Sequence, residues 1–275
     1  MLASFLLSLR EGIEAALIIG IVLGAVNKLN RRDLIPSAWY GTVCAILVSL
    51  IAGIALTALG LSLEGAAEQI FEGIAMLAAA CVLTWMIFWM NGQAHYIKGE
   101  LESGVSRASS SGGGRAIFSL AFLAVVREGI ELALFLTAAT FATDPQSTLI
   151  GATLGLGTAA LLGAALFAST LRLNLLRFFK VTGVLLILFA AGLVAHGIHE
   201  FNEVGWIPPV IEHVWNLNPF LDENSTVGSL LKALFGYNGN PSLTEALGYA
   251  AYFAVIYIGL RRVNQPAESL VQQTA

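Results

Sequence analysis

The chain carries the run Arg-Glu-Gly-Ile-Glu twice, at residues 10–14 and 127–131, each copy inside a long apolar stretch. The surroundings read FLLSLREGIEAALIIGIVLG for the first copy and FSLAFLAVVREGIELALFLTAATF for the second. On a helix, residues three or four apart share a face. Glu11 and Glu14 therefore point the same way, about 4.5 Å apart along the axis, and Arg10 lies one turn from Glu14. Arg127, Glu128 and Glu131 repeat the pattern. Gly12 and Gly129 remove side-chain bulk at the centre of each motif, which lets a neighbouring helix approach closely.

Ionisable groups at the middle of a membrane helix cost at least about 2.5–3.5 kcal/mol each on insertion scales. A structural Arg–Glu ion pair accounts for one glutamate per motif and leaves the other uncompensated. Each motif sums to a charge of -1, so two facing motifs leave an excess that two protons or one divalent cation could neutralise. Carboxylate oxygens suit hard or borderline metals such as Fe, Mn, Mg or Ca. A cation site is favoured over a purely structural role, with Glu11, Glu14, Glu128 and Glu131 as candidate ligands and Arg10 and Arg127 as supporting charge.

A second cluster lies in AHGIHEFNEVGW, where His196, His199, Glu200 and Glu203 follow i, i+3, i+4, i+7 spacing on one helical face. Imidazole with carboxylate is ligand chemistry for iron, zinc or manganese, so these four form a candidate outer metal relay. The alternative is a polar helix end leading into a loop. His213 and His95 read as loop residues. The run TWMIFWM at 84–90 reads as packing or an interfacial belt.

These groups must be positioned by membrane helices. Of 275 residues, 57% are hydrophobic and 12% charged, and the mean hydropathy is +0.78. A soluble domain cannot bury so much apolar surface. A crossing needs about 20 apolar residues, and seven segments qualify: roughly 3–26, 37–61, 70–90, 116–141, 148–170, 181–199 and 246–262. The N-terminal stretch lacks the basic region and cleavage site of a signal peptide and reads as the first retained helix. Cys44 and Cys81 lie far apart in apolar segments, where core packing is the expected role.

Basic residues set the orientation. Lys28, Arg31, Arg32, Lys98, Arg107, Arg115, Arg172, Arg177, Lys180, Arg261 and Arg262 fall on one side, and only Lys232 on the other. The positive-inside rule then places the N-terminus outside and the C-terminus in the cytoplasm. The outer side collects Glu64, Glu68, Asp144, Glu200, Glu203, Glu212, Asp222, Glu223 and Glu245, either as ordinary solvated charge or as a field that concentrates cations.

Aligning the two motifs also matches Phe5, Leu6, Ala16 and Leu17 with Phe122, Leu123, Ala133 and Leu134. Phe71 and Gly73 correspond more loosely to Phe179 and Gly183. Three helices per unit is an odd number, so the second unit enters the membrane inverted, as in many secondary transporters. The expected fold is all-α and integral to the membrane, with seven transmembrane helices in two inverted three-helix repeats plus a seventh helix. The single permease domain, 1–275, divides into repeat one (1–98), a flexible Ser/Gly-rich linker (99–115) and repeat two (116–202). An outer loop (203–245), the seventh helix (246–262) and a cytoplasmic tail (263–275) follow.

No GxxxxGK[ST], GxSxG or HExxH occurs, so neither ATP hydrolysis nor an intramembrane hydrolase is indicated, and no enzyme is expected. The doubled R-E-G-[IL]-E resembles the oxidase-dependent iron transporter family, which holds the fungal high-affinity iron permeases and bacterial ferrous iron permeases. FEGIAMLAAACVLTWMIFWM at 71–90, RLNLLRFFK at 172–180, AAGLVAHGIHEF at 190–201 and LFGYNGNPSLTEAL at 234–247 also look like bacterial members.

The resemblance implies a multi-pass cell-membrane permease that carries iron as substrate, with no permanent cofactor. It implies that Glu11, Glu14, Glu128 and Glu131 carry the metal. A partner would be a separate extracytoplasmic iron oxidase or periplasmic accessory protein; nucleic acid is not expected. Some family members are associated with lead, which leaves lead or manganese as alternative cargo. A heptahelical sensor is the competing reading from another class, but it gives the inverted repeat no purpose.

Overall fold

The computed structural model describes residues 1–93, 97–111, 113–167, 175–223 and 225–263, so His95 and Arg172 lie outside the described residues. Among the described residues the regular structure is helical. In chain order it comprises α1 (Leu2–Lys28), a 3-10 turn (Arg32–Leu34), α2 (Ile35–Leu61), α3 (Ala66–Gln93), α4 (Ile97–Ser111) and α5 (Gly113–Ala142). Then follow α6 (Pro145–Phe167), α7 (Leu175–Glu203), α8 (Thr226–Phe235) and α9 (Leu243–Val263).

Over its described residues, each of the seven apolar segments falls on a long helix. Among the described residues five helices, α2, α3, α6, α7 and α9, are long and apolar enough to cross a membrane by length and composition. α1 and α5 are as long, 27 and 30 residues, but each carries the three charges of its motif.

Two helices stand where the sequence suggested irregular chain. The connection between α3 and α5, expected to be a flexible linker, forms α4. Its Ser-rich sequence has little intrinsic helix preference; packing supplies it. Val105 and Ala108 are buried in a cluster with Val22 and Val26 of α1, Ala38 of α2, and Ile117 and Ala121 of α5. Within the segment 203–245, expected as an outer loop, α8 is bounded by local signals. Ser225 accepts a hydrogen bond from the Gly228 amide at the N-cap, and Gly236 ends the helix in the left-handed conformation at φ 64°. The expected tail beyond Val263 lies outside the described residues.

Large and small side chains are distributed as membrane solvation requires. On α2, Val43, Ile46, Leu47, Leu50, Ile51 and Ile54 are exposed, as are Leu149, Leu154 and Leu161 on α6. The buried positions of these helices include Ala38, Gly41, Ala45 and Ser49, and Gly151, Gly155, Ala159 and Gly163. Lipid tails are as apolar as leucine, so close packing of small residues draws the helices together instead.

These small residues form two seams, each joining the first helix of one block to the second of the other. A Cβ added at Gly151 would meet the Ser4 hydroxyl, at Gly155 Ser8 Cβ, at Gly12 Ala159 Cβ and at Gly163 Ala16 Cβ, the last three within 2.8 Å. That is the α1–α6 seam. On the α2–α5 seam, Gly41 stands against Ala121, Gly129 against Ser49 and Gly53 against Ala133. Ser4 and Ala121, Gly12 and Gly129, and Ala16 and Ala133 are each 117 places apart; their partners Gly151 and Gly41, Ala159 and Ser49, and Gly163 and Gly53 are each 110 apart.

The main apolar core lies among α3, α5, α7 and α9, where Met76, Leu83, Met86, Phe135, Leu186, Phe189, Leu193 and Tyr252 are buried. Cys81 departs from expectation: it is exposed on α3, while Cys44 is partly buried. α8 closes against α7 through a backbone contact between Gly236 and Gly192, with no room for a Cβ at either. Outside the spans, the Ser147 amide donates to Asp144 at the start of α6 (2.8 Å), which holds that carboxyl below its usual range.

Candidate metal centre

Both motifs lie where α1 and α5 pass each other, and the closeness of these helices brings their carboxylates together. Glu11 of α1 and Glu128 and Glu131 of α5 each offer an oxygen within 4.8 Å of the other two. Among the described residues, this is the group of three or more potential ligands gathered so tightly. The site is secluded. Glu11 is 1% exposed and Glu128 7%, and the Glu131 side chain is 11% exposed. Neither Glu11 oxygen, nor Glu131 Oε2, has a hydrogen-bond partner among the described residues. Three carboxylates cannot all remain charged and unneutralised in so dry a place. The arrangement suits a cation bound by oxygen.

The arginines take the partners that the i, i+4 spacing assigns them. Arg10 Nε lies 3.2 Å from Glu14 Oε1, and Arg127 Nε donates to Glu131 Oε1 at 2.9 Å. Arg127 also approaches Glu128 at 4.0 Å. Glu14, although ion-paired and largely buried, does not belong to the tight group of three. The two arginines differ in setting: the Arg10 side chain is 1% exposed and that of Arg127 39%. Arg127 lies over the rings of Trp85 and Trp89, 5.2 and 5.0 Å from their centroids. The TWMIFWM run, read from sequence as packing or an interfacial belt, thus includes two indoles against the motif. Nothing in the linear sequence reveals this, because the partner is on another helix.

The second cluster occupies the last turns of α7. His196 Nδ1 faces its own helix at Gly192 O, 3.0 Å away. His199 sits between two carboxylates, with Nδ1 3.1 Å from Glu245 Oε1 and Nε2 3.2 Å from Glu203 Oε1. Both nitrogens can donate only when both carry protons. Glu203 also accepts from Gln69, and Glu200 is partly buried beside it. The sequence reading missed Glu72 of α3, whose charge is felt together with those of Glu68, Glu200 and Glu203. It counted Glu245 only as outer charge, whereas Glu245 also accepts from Asn238 (2.8 Å) and the Ser242 amide (3.2 Å). His213 is exposed in the connection between α7 and α8.

A helical bundle with exposed leucines around a buried group of carboxylates defines an integral membrane protein. Residues 1–264 match the model of the iron permease FTR1 family, and the chain belongs to that family. It is similar to the ferrous iron permease EfeU of Yersinia pestis, with 34% identity over 254 residues that span 92% of this chain and 90% of the relative. The protein of the same name from Escherichia coli O157:H7 is 35% identical over 254 residues, 92% of each chain. The Yersinia pseudotuberculosis protein is 34% identical over 250 residues, 90% of this chain and 88% of that one. No solved structure matches the chain. The family, the relatives and the apolar helices together make this a multi-pass integral protein of the cell membrane.

Proposed function

We propose that this chain moves iron into the cell as its substrate, binding the ion between the two REGIE motifs near the membrane midplane. Glu11, Glu128 and Glu131 are the direct ligands of this reading; Glu14, paired with Arg10, completes the set of four beside them. The observation that carries the proposal is the convergence of carboxylates from two helices, with Glu11 buried and its oxygens without a hydrogen-bond partner among the described residues. The charge balance favours Fe(II), since the excess of -2 from the two motifs matches a divalent cation, and the similar relatives are named ferrous iron permeases. Fe(III), manganese or lead would need a different balance.

The transport reading uses seven spans, with α1 and α5 crossing beside the five more apolar helices, the N-terminus outside and the C-terminus inside. The two seams support an inverted pair of three-helix repeats, because equivalent positions of α1 and α5 pack on equivalent positions of α6 and α2. Rocking of one repeat against the other would open the site to each side in turn. His196, His199, Glu200 and Glu203, joined by Glu72 and Glu245, serve as an outer relay. An extracytoplasmic iron oxidase or periplasmic accessory protein would deliver the metal. The test is uptake of radioactive iron by iron-starved cells expressing Glu14→Gln or Glu131→Gln. Both variants should lose uptake, with manganese and lead as competitors to rank selectivity. Normal uptake in both would sink the central site.

A further inference from the structure

The two arginines face different problems once a cation arrives. Glu131 is at once the ion-pair partner of Arg127 and a member of the carboxylate group that would hold the cation. A cation that takes Glu131 competes with the guanidinium for the same carboxylate. On α1 the conflict does not arise in this form, because the partner of Arg10 is Glu14, outside the tight group. Arg127 is also the more exposed of the two, on a helix whose neighbouring outward residues Leu123 and Ile130 are apolar and exposed. A guanidinium that lost its carboxylate there would be stranded in low dielectric.

We propose that Trp85 and Trp89 are positioning residues that seat the Arg127 guanidinium and so let Glu131 turn to the cation. This inference rests on the cation site proposed above. The two indoles are one turn apart on α3, and Arg127 is within cation–π range of both, 5.2 and 5.0 Å from the ring centroids. An aromatic face holds a cation without an anion, so it stabilises the guanidinium in both states of Glu131. Loss of the seat leaves Arg127 dependent on Glu131 alone, and the ion pair then resists the incoming metal. The cost falls on metal affinity rather than on the rate at saturation.

The test measures radioactive iron uptake against iron concentration in cells expressing the full chain, normalised to protein in the membrane. Three paired variants are compared: Trp85→Phe with Trp89→Phe, Trp85→Leu with Trp89→Leu, and Trp85→Ala with Trp89→Ala. The Leu and Ala pairs should raise KM about tenfold, within the range of a desolvated cation–π contact. Their maximal rate should stay within about twofold of the parent, and the Phe pair should restore most of the affinity, because it keeps the ring faces. Leucine fills the space without a π face, so a Leu pair with parental KM would overturn the seat. So would a Phe pair as impaired as the Leu pair. Should the double variants not reach the membrane, the single Leu substitutions carry the same test at about threefold each. Parental kinetics in the Leu variants, with Glu131→Gln inactive, sinks the seat alone; normal uptake in Glu131→Gln sinks the cation site itself.

Discussion

The same five residues on α1 and α5 occupy unlike surroundings. The α1 copy is sealed: Arg10 is buried and Glu11 offers two oxygens with no hydrogen-bond partner among the described residues. The α5 copy is open at one edge, where Arg127 leans on two indoles while its carboxylates face inward. Identical sequence therefore does not mean identical duty. The first copy holds a buried carboxylate whose oxygens have no hydrogen-bond partner among the described residues; the second holds one shared with an arginine that also lies over two indoles.

Substitutions that separate the copies put this comparison at risk. The largest expected effect is on transport. Glu11→Gln should abolish iron uptake, because it removes the buried carboxylate without a partner; retention of more than about a tenth of parental uptake would contradict that role. Next comes stability. Arg10→Gln strands Glu14 in a dry site and should cost about 3–5 kcal/mol, the usual penalty for breaking a buried pair. Arg127→Gln, at the edge of the site, should cost less, about 1–3 kcal/mol for leaving Glu131 without its partner. Thermal unfolding of the two purified variants in detergent compares them directly, and equal losses would erase the distinction.

The seams should respond alike in both copies. Gly12→Val and Gly129→Val drive a branched side chain into Ala159 and Ser49 respectively, at about 1–3 kcal/mol of overpacking each. Tolerance of one and not the other would break the equivalence of the seams. The smallest effect belongs to the hydrogen bond between Thr57 and Thr137 (3.3 Å), which joins α2 to α5. Thr57→Val should cost about 0.6 kcal/mol, typical of an interhelical hydrogen bond in a bilayer.

Much of this was legible in the sequence. Apolar length marked the seven long helices, and the motif spacing marked the arginine pairings Arg10–Glu14 and Arg127–Glu131, both of which depend only on local helix geometry. The repeat offset of 117 makes Glu11 and Glu128 equivalent positions of two motifs that can face each other. What escaped the sequence depended on distant partners. Trp85 and Trp89 acquire meaning only beside Arg127, and Glu72 only beside Glu200 and Glu203. α4 escaped because its composition argues against a helix that packing then imposes. α8 is a different case: Ser225 and Gly236 bracket an apolar run, a start-and-stop signal that its place in a polar loop obscured.

The contact of Gly192 with Gly236 has a consequence for descent. Two backbones touch there with no side chain between them, one turn before His196 on α7 and at the left-handed end of α8. Neither position can acquire a larger residue while the other backbone stays in place. The two sites should therefore vary as a unit across relatives: where one glycine has been replaced, the other has lost its reason to persist, and α8 must dock elsewhere. A pair of letters 44 places apart thus serves as a heritable marker of how the outer segment is moored.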